Sequence, residues 1–310
     1  MLSDLDFPLS NELCNNVVRR AEPKASYRAH DQYRWTFLDS SGLFMEQPVP
    51  LSHLISPDIT TTPFCDTLRF QNPLIYTFPD PVPYLTAWDL QSRLHHERLL
   101  DRQPDTLLIL EHSPVYTLGR RTRPSDWGGN KAALCENGTE FHHVNRGGSV
   151  TFHGPGQVVL YPILKLTRYA TGAKQFVWLL EEVVIRVLGY WNITGVRIVG
   201  KPGVWIMLPE PKKISFVGIR IQQGVTLHGV SLNVDLDLAP FRRIHPCGFP
   251  DCSVTTMAAV SQKVVPVDAI KQQLAQTFTM VFSASALRPV STQGQEYTHA
   301  HPEGALCRNF

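Results

Sequence analysis

Three stretches of the chain carry apolar residues in patterns that predict helices. Residues 175–188 show the clearest 3.6-residue period. Residues 84–100 follow a helical period only loosely, but their length favours a helix over a strand. Residues 267–283 predict a further helix. The apolar positions of the first stretch are Phe176, Leu179, Leu180, Val183, Val184, Val187 and Leu188.

Short apolar runs bounded by turn-forming residues predict a series of strands. Residues 209–213 have the composition of a turn, which places Lys213 at the start of a strand. Because helices and strands are interspersed, we predict an α/β (α+β) fold with a mixed central sheet flanked by helices. The strand-like runs cover residues 74–78, 106–110, 196–199, 204–208, 214–217, 219–221 and 230–234, and residues 145–166 alternate such runs with glycine.

Both ends of the chain lack the periodic patterns of the middle. Residues 1–66 contain scattered prolines and polar residues, which predict a poorly ordered N-terminal extension. Its arginines give a weak signal for a targeting leader, and the acidic residues Asp4, Asp6 and Glu12 weaken that signal further. We predict one catalytic domain over residues 67–285 and a flexible tail over residues 286–310.

Composition narrows the classes of function. A formal charge of +2 on 310 residues argues against a broad nucleic-acid surface. No apolar run is long enough for a membrane-spanning helix, so a soluble protein is expected. The six cysteines are irregularly spaced and include no Cys-x-x-Cys pair, which argues against a zinc site and against a disulfide framework.

One cysteine, one lysine and one histidine suggest nucleophilic acyl transfer. Cys247 lies between Pro246 and Gly248, and a nearby cation would increase the fraction of its thiol present as thiolate. Lys213 stands in an apolar strand, where an ammonium group is costly to bury unless paired. His228 is a candidate base or positioning residue. Taken singly, each also fits a structural role: an inert thiol, an exposed lysine at a strand end, and a core histidine.

A second candidate is the glycine-rich segment 146–157, which could expose backbone N–H groups to a ligand. It lacks the Gly-Lys followed by Ser or Thr of a nucleotide-binding P-loop, and its glycine spacing differs from that of a dinucleotide-binding motif. An irregular hairpin is the structural alternative.

Five motifs in order resemble the octanoyl transferase family of lipoate biosynthesis. They are residues 110–119 (LEHSPVYTLG), 146–157 (RGGSVTFHGPGQ), 213–218 (KISFVG), 228–233 (HGVSLN) and 246–248 (PCG). The resemblance covers residues 68 to 285. It implies the catalytic fold shared by biotin ligases and lipoate ligases. Ser215 and Ser231 stand where the family more often has alanine or another small residue.

The resemblance also implies a reaction without cofactor or metal. An octanoyl group leaves octanoyl-acyl carrier protein and reaches a specific lysine of a lipoyl domain through a thioester on Cys247, as the first step of endogenous protein lipoylation. Lys213 is implied to lower the pKa of Cys247 and to handle protons. The implied acceptors are the lipoyl domains of 2-oxoacid dehydrogenase complexes and the glycine cleavage H protein. The implied location is mitochondrial, with the cytoplasm as the alternative.

The same motifs imply which residues bind substrate, and they leave His228 as a positioning residue. The implied substrate-binding residues are Arg146, Gly147, Gly148, Ser149, Val150, Thr151, Phe152, His153, Phe216, Val217, Gly218, Gly229, Val230 and Ser231.

Two rival functions remain open. An ATP-dependent lipoate or biotin-type ligase uses the same fold but adenylates a free acid and needs no nucleophilic cysteine. A non-catalytic protein that binds lipoyl domains would need neither Cys247 nor Lys213. The presence of both residues favours the transferase.

Overall fold

The computed structural model describes residues 73–246 and 252–286, together with the backbone of two strands, β1 (Gln32–Leu38) and β2 (Phe44–Pro50). The description concerns the unit of the chain that begins at Gln32. Cys247, most of the predicted N-terminal extension and the predicted tail after Ala286 lie outside the described residues. The domain boundaries 1–66, 67–285 and 286–310 therefore stay a prediction.

The described strands form one large sheet and one small sheet. The large sheet has nine strands in the order β2-β1-β3-β4-β8-β12-β11-β10-β9, and the small sheet has the order β6-β5-β7. β3 and β4 are parallel, while the other neighbours in the large sheet are antiparallel. The remaining strands are β3 (Leu74–Thr77), β4 (Thr106–Leu110), β5 (Val115–Leu118), β6 (Glu140–His143), β7 (Val150–His153), β8 (Gln157–Ile163), β9 (Val196–Ile198), β10 (Lys201–Leu208), β11 (Glu210–Gln222) and β12 (Val225–Asn233).

Five α-helices accompany these sheets within the described part of the chain. They are α1 (Tyr84–Leu99), α2 (Lys131–Leu134), α3 (Ala173–Tyr190), α4 (Met257–Ser261) and α5 (Val267–Ala286). None of the helices described here is long and apolar enough to cross a membrane.

The large sheet is covered on both faces. On one face, Leu160, Val230 and Ile214 pack with the apolar stripes of α3 and α5 in the main core. On the other face, Val159 and Tyr161 pack against α1. Further along that second face, Phe216 joins a cluster with residues of the small sheet, including Tyr116 and Phe152. The second face is therefore shared between a helix and the small sheet, and the candidate site lies there.

The predicted fold class is confirmed, since mixed sheets are flanked by helices. The predicted helices and the strand 106–110 are present, and α3 extends the predicted helix at both ends. The segment predicted to have little fixed structure contains β1 and β2. Pro48 and Pro50 are compatible with a strand there because β2 lies at the edge of the large sheet, where proline is tolerated. Lys213 is not at the start of a strand, because the hairpin turn is tighter than predicted and β11 begins at Glu210.

Candidate active site

A bulge in β11 decides where Lys213 points. Val204 pairs with Ser215 whereas its neighbour Trp205 pairs with Lys213, so Ile214 is an extra residue in β11. Residues three positions apart normally face opposite sides of a strand, but one inserted residue brings them to the same side. Lys213 and Phe216 consequently share a face, and the Lys213 Nζ atom lies 5.0 Å from the Phe216 ring centroid. The same atom lies 5.1 Å from the ring centroid of Trp205.

Lys213 is a core residue, with only 1% of its surface exposed. The alternative of an exposed lysine at a strand end is therefore wrong. A cation here is stabilised by the aromatic rings of Trp205 and Phe216. Burial raises the pKa of Glu181 on α3, and the positive charge of nearby Lys213 is among the effects that oppose this rise. Lys213 thus lies within electrostatic range of a buried carboxyl group.

Gly203 on β10 makes room for the Lys213 side chain. A Cβ atom at Gly203 would lie 2.8 Å from Cε of Lys213 and would overlap the carbonyl oxygen of Ser215. The φ angle of Gly203 is +108°, which only glycine adopts readily. Its N–H donates a 2.7 Å hydrogen bond to the Glu181 carboxyl group. Gly203 and Glu181 together fix the wall against which Lys213 packs.

The segment that follows the predicted nucleophile runs alongside Lys213. The Lys213 N–H donates to the Ser253 carbonyl oxygen at 2.8 Å, and the Thr255 N–H donates to the Lys213 carbonyl oxygen at 2.9 Å. Cys247 itself lies outside the described residues, but Pro246 and Cys252 on either side of that gap are described. The position of its thiol relative to Lys213 therefore stays a prediction.

A pocket opens on the same face of the sheet, and Phe216 belongs to its wall. The space between its walls amounts to about 480 Å³, a volume that includes open solvent. The wall includes every predicted substrate-binding residue except Gly147 and Phe152, and it includes His228. The predicted residues in the wall are Arg146, Gly148, Ser149, Val150, Thr151, His153, Phe216, Val217, Gly218, Gly229, Val230 and Ser231, and the sequence did not point to Tyr84, Val159 and Tyr161, which also line it.

Two of the predicted substrate-binding residues, Gly147 and Phe152, do not line the pocket and make contacts within the fold. Phe152 packs in the cluster between the sheets, with its ring centroid 5.2 Å from that of Tyr116 and 6.0 Å from that of Phe241. Gly147 donates a backbone hydrogen bond of 2.9 Å to the Ile219 carbonyl oxygen, which attaches the glycine-rich segment to β11. Along β7, Phe152 alternates with Thr151 and His153, and it packs in the same cluster as Val150.

Arg146 holds the glycine-rich segment in shape. Its guanidinium group donates to the carbonyl oxygens of Thr117 (2.6 Å) and Ser149 (2.7 Å). Gly218 and Gly119 allow this arrangement, since a Cβ atom would lie 3.0 Å from Cδ of Arg146 at Gly218 and 2.7 Å from its Nη1 at Gly119. The glycine-rich segment is therefore held in a fixed shape along the wall of the pocket.

A chain of buried hydrogen bonds links the glycine-rich segment to the backbone beside Lys213. His153 Nδ1 lies 2.6 Å from Gln157 Oε1, and the Gln157 amide donates to Asn233 Oδ1 at 2.8 Å. The Asn233 amide in turn donates to the Thr255 carbonyl oxygen at 3.0 Å. Because Thr255 pairs with Lys213, Asn233 orders the segment that follows the predicted nucleophile.

The histidines around the pocket are neutral. Burial lowers the pKa of His112 to about 4. Burial, with the positive charges of Arg146 and Arg220, lowers the pKa of His228 to about 3. The pKa of His153 is also well below its usual value, mainly because of burial. These groups are acceptors or donors at pH 7 and do not supply positive charge.

His228 is held by contacts on three sides. Its ring stacks on that of Trp88 with 5.0 Å between centroids, its Nε2 lies 2.7 Å from Asn145 Oδ1, and its backbone N–H donates to the Gln91 side chain at 3.0 Å. Its φ angle is +56°, which is uncommon for a residue with a side chain.

Within residues 73–246 and 252–286, no group of three His, Cys, Asp or Glu side chains is arranged to hold a metal ion.

The fold is that of lipoate protein ligases. The structure of P. falciparum LipL1 in complex with lipoate matches with a TM-score of 0.52 and 12% identity, over 68% of this chain and 63% of that one. The bi-partite lipoate protein ligase of Thermoplasma acidophilum matches with a TM-score of 0.50 and 15% identity, over 68% of this chain and 84% of that one. At these identities the likeness defines the fold alone.

Sequence comparison is more specific. The Lipoyl protein ligase A/B catalytic domain matches residues 83–279. An octanoyltransferase from Thermobifida fusca is 42% identical over 68% of this chain and 89% of its own length. An octanoyltransferase from Chloroflexus aggregans is 41% identical over 68% of this chain and 94% of its own length. The chain therefore belongs to the lipoyl protein ligase A/B catalytic domain family and, within it, to the octanoyltransferases. The predicted enzyme class, an acyltransferase, is confirmed by these relatives.

Proposed function

We propose that the protein transfers an octanoyl group from octanoyl-acyl carrier protein to a lysine of a lipoyl domain, through a thioester on Cys247. The observation that carries the proposal is the position of Lys213. Its buried Nζ atom contacts Phe216, which is also a wall of the pocket, so the lysine amino group is held beside the pocket. The names of the relatives support octanoyl as the transferred group.

In the first step the Cys247 thiolate attacks the thioester carbonyl carbon of the donor. A carbon–sulfur bond to Cys247 forms, the bond to the carrier thiol breaks, and the departing thiolate takes up a proton from the Lys213 ammonium group, which leaves Lys213 as an amine. Lys213 favours this step because an ammonium group near the thiol stabilises the thiolate. Exchange of one thioester for another is close to neutral in free energy, so no ATP is required.

In the second step the neutral amine of the acceptor lysine attacks the acyl group on Cys247. The new carbon–nitrogen bond forms, the Cys247 thiolate leaves, and the attacking nitrogen loses a proton. We assign acceptance of that proton to Lys213 in its amine form. Backbone N–H groups of the glycine-rich segment are candidate donors to the oxyanion in both steps.

Substrate binding is assigned to the predicted residues that line the pocket. Val150, Val159 and Phe216 offer apolar surface to the acyl chain. Each buried methylene contributes about 0.8 kcal/mol, so a pocket of fixed depth selects for chain length. His228 keeps the role of a positioning residue, because its pKa of about 3 leaves it uncharged.

The proposed acceptors are the lipoyl domains of 2-oxoacid dehydrogenase complexes and the glycine cleavage H protein. The proposed location is the mitochondrion, as for eukaryotic members of the family. Both follow from the family resemblance, and import of the full-length chain into isolated mitochondria tests the second.

The rival function is an ATP-dependent ligase on the same fold. Purified protein incubated with octanoyl-acyl carrier protein and a lipoyl domain, without ATP, distinguishes the two. We expect the lipoyl domain to gain the mass of one octanoyl group. Modification that requires ATP and free octanoate would instead establish the ligase, and no modification under either condition would favour a protein that only binds lipoyl domains.

A further inference from the structure

Glu181 on α3 is a buried carboxyl group that the proposed reaction does not use. The residue is 6% exposed, and its Oε1 atom accepts a 2.7 Å hydrogen bond from the Gly203 N–H. The same glycine lies against Lys213, since a Cβ atom at Gly203 would lie 2.8 Å from Cε of Lys213. These two distances, joined through the geometry of one residue, place the carboxyl oxygen within about 8 Å of that Cε atom.

Two cations act on the Glu181 carboxyl group, and they differ in exposure. Arg197 Nε on β9 lies 3.2 Å from Glu181 Oε2, and 28% of the arginine side chain is exposed. Lys213 is 1% exposed. Burial raises the pKa of Glu181, while the Gly203 N–H, Arg197 and Lys213 each oppose that rise. Water screens the interaction with the partly exposed arginine more than an interaction between two buried groups, so Arg197 does not cancel the attraction between Glu181 and Lys213.

A buried ammonium group at Lys213 needs compensation, because removing a charge from water is costly. The rings of Trp205 and Phe216 offset part of that cost. Lys201, at the start of β10, opposes them, since its Nζ atom lies 5.6 Å from the centroid of the same Trp205 ring. Glu181 supplies negative charge from the helix that packs on this part of the sheet. It therefore favours the ammonium form of Lys213 over the amine form.

We propose that Glu181 is a positioning residue that acts through Lys213 and keeps it in the ammonium form in the resting enzyme. This inference rests on the proposed function, in which Lys213 is an ammonium group before the first step and an amine in the acyl-enzyme. A fixed carboxylate at Glu181 favours the ammonium form before the first step and after the second. It also opposes the amine form in between, so the pH at which the acyl-enzyme reacts depends on Glu181.

The test measures the second step alone. The full-length protein is first acylated with octanoyl-acyl carrier protein. It is then mixed with a lipoyl domain at a series of pH values from about 6 to about 9, and octanoylation of the domain is followed by intact mass in a single turnover. Cys247 is acylated at this stage, so its thiol does not titrate. The acceptor lysine is the same in every reaction, so a difference between variants comes from the enzyme.

Glu181→Gln keeps an oxygen acceptor for the Gly203 N–H and removes the charge. We expect the pH at which the rate reaches half of its maximum to fall by about 0.5–1 unit, the size of a screened charge interaction over such a distance. At low pH this variant should therefore transfer roughly three- to tenfold faster than the unmodified protein. Loss of a purely structural contact would slow the reaction at every pH.

Glu182→Gln is the matched control. It removes the same charge from the next residue of α3 and breaks a pair with the same arginine, since Glu182 Oε2 lies 2.8 Å from Arg197 Nη2. Glu182 is also paired with Arg186 at 2.8 Å, so its charge is balanced by two arginines. The pH profile of this variant should match that of the unmodified protein. Glu181→Asp, which moves the charge by one methylene, should give a smaller shift to lower pH, and it provides the same test if Glu181→Gln does not fold.

The outcomes separate the two claims. A pH profile that the Glu181 variants leave unchanged, or move to higher pH, overturns the inference and leaves the proposed function intact. Equal shifts in Glu181→Gln and Glu182→Gln also overturn it, because removal of any charge from this part of α3 would then be sufficient. Absence of octanoyl transfer in the unmodified protein contradicts the proposed function, and the inference with it.

Discussion

The Nζ atom of Lys213 lies 5.0 Å from the ring centroid of Phe216, although the two residues are three positions apart on one strand. This contact depends on the bulge at Ile214, which brings both side chains to the same face of β11. Since Phe216 also lines the pocket, the bulge places the buried Lys213 side chain beside that pocket.

Lys213→Ala should slow alkylation of Cys247 by iodoacetamide at pH 7. An unassisted thiol with a pKa near 8.5 is only a few per cent thiolate at that pH, so loss of a stabilising cation can reduce the rate by up to about 30-fold. The matched control is Lys212→Ala, which removes the exposed neighbour on the same strand. Equal alkylation rates in the two variants would show that Lys213 does not act on the thiol.

Gly203→Ala should impair acyl transfer more than Gly200→Ala does. Both glycines have a positive φ angle, +108° at Gly203 and +77° at Gly200, so Gly200→Ala controls for the loss of a positive-φ glycine in or next to β10. A methyl group at Gly203 would overlap both the Ser215 carbonyl oxygen and Cε of Lys213, whereas nothing lies within 4 Å of a Cβ atom at Gly200. The measurement is the rate of octanoyl adduct formation in each variant. Similar losses in the two would mean that backbone strain, and not the position of Lys213, limits activity.

Asn233→Asp should destabilise the fold and slow acylation. A carboxylate at this position still accepts a hydrogen bond from Gln157, but it faces the Thr255 carbonyl oxygen with no proton to donate. Leaving that buried carbonyl oxygen unpaired costs about 1–3 kcal/mol of unfolding free energy. Urea unfolding measures the first effect and adduct formation the second, with exposed Asn192→Asp as the control. Normal acylation in Asn233→Asp would show that the reaction does not depend on the hydrogen bond from Asn233 to the Thr255 carbonyl oxygen.

The stability of the fold should decrease on acidification below pH 6.5. The folded-state pKa values of His112 and His228 are about 4 and about 3, while an unfolded histidine has a pKa of about 6.5. From pH 6.5 downward to pH 4 the unfolded chain binds protons that the folded chain does not, so the unfolding free energy falls as pH falls. Each histidine contributes roughly 1.4 kcal/mol per pH unit in that window.

Urea midpoints at pH 7, 6 and 5 measure this dependence. His112→Asn should reduce the slope of unfolding free energy against pH by the contribution of one histidine, because asparagine does not titrate. An unchanged slope in that variant would mean that His112 takes up its proton in the folded state as readily as in the unfolded one.

Part of this architecture could be predicted from the sequence. Periodicity identified α3, and the apolar run 106–110 gave β4 with its observed bounds. β5 and β6 were missed, because strands of four residues do not stand out from loops and they pair only with distant segments. Glycine and proline punctuation did locate the segment that forms the pocket wall.

The arrangement of the side chains within the site could not be predicted from the sequence. The bulge at Ile214 leaves no signal in the sequence, so the side of β11 occupied by Lys213 could not be predicted. Tyr84 and Tyr161 line the pocket from α1 and β8, far from the glycine-rich segment in sequence. Gln157 and Asn233 lie inside the motifs that carry the family resemblance, but their hydrogen bond became visible only once β8 and β12 were paired.

The most direct test of the central claim is the intact mass of the protein after incubation with octanoyl-acyl carrier protein. The account predicts an added octanoyl group on the unmodified protein, localised to Cys247 by peptide mapping, and no such adduct on Cys247→Ala. Cys252→Ala, which removes the cysteine next to Ser253, the backbone partner of Lys213, should keep the adduct. An octanoyl adduct that persists on Cys247→Ala would contradict the account.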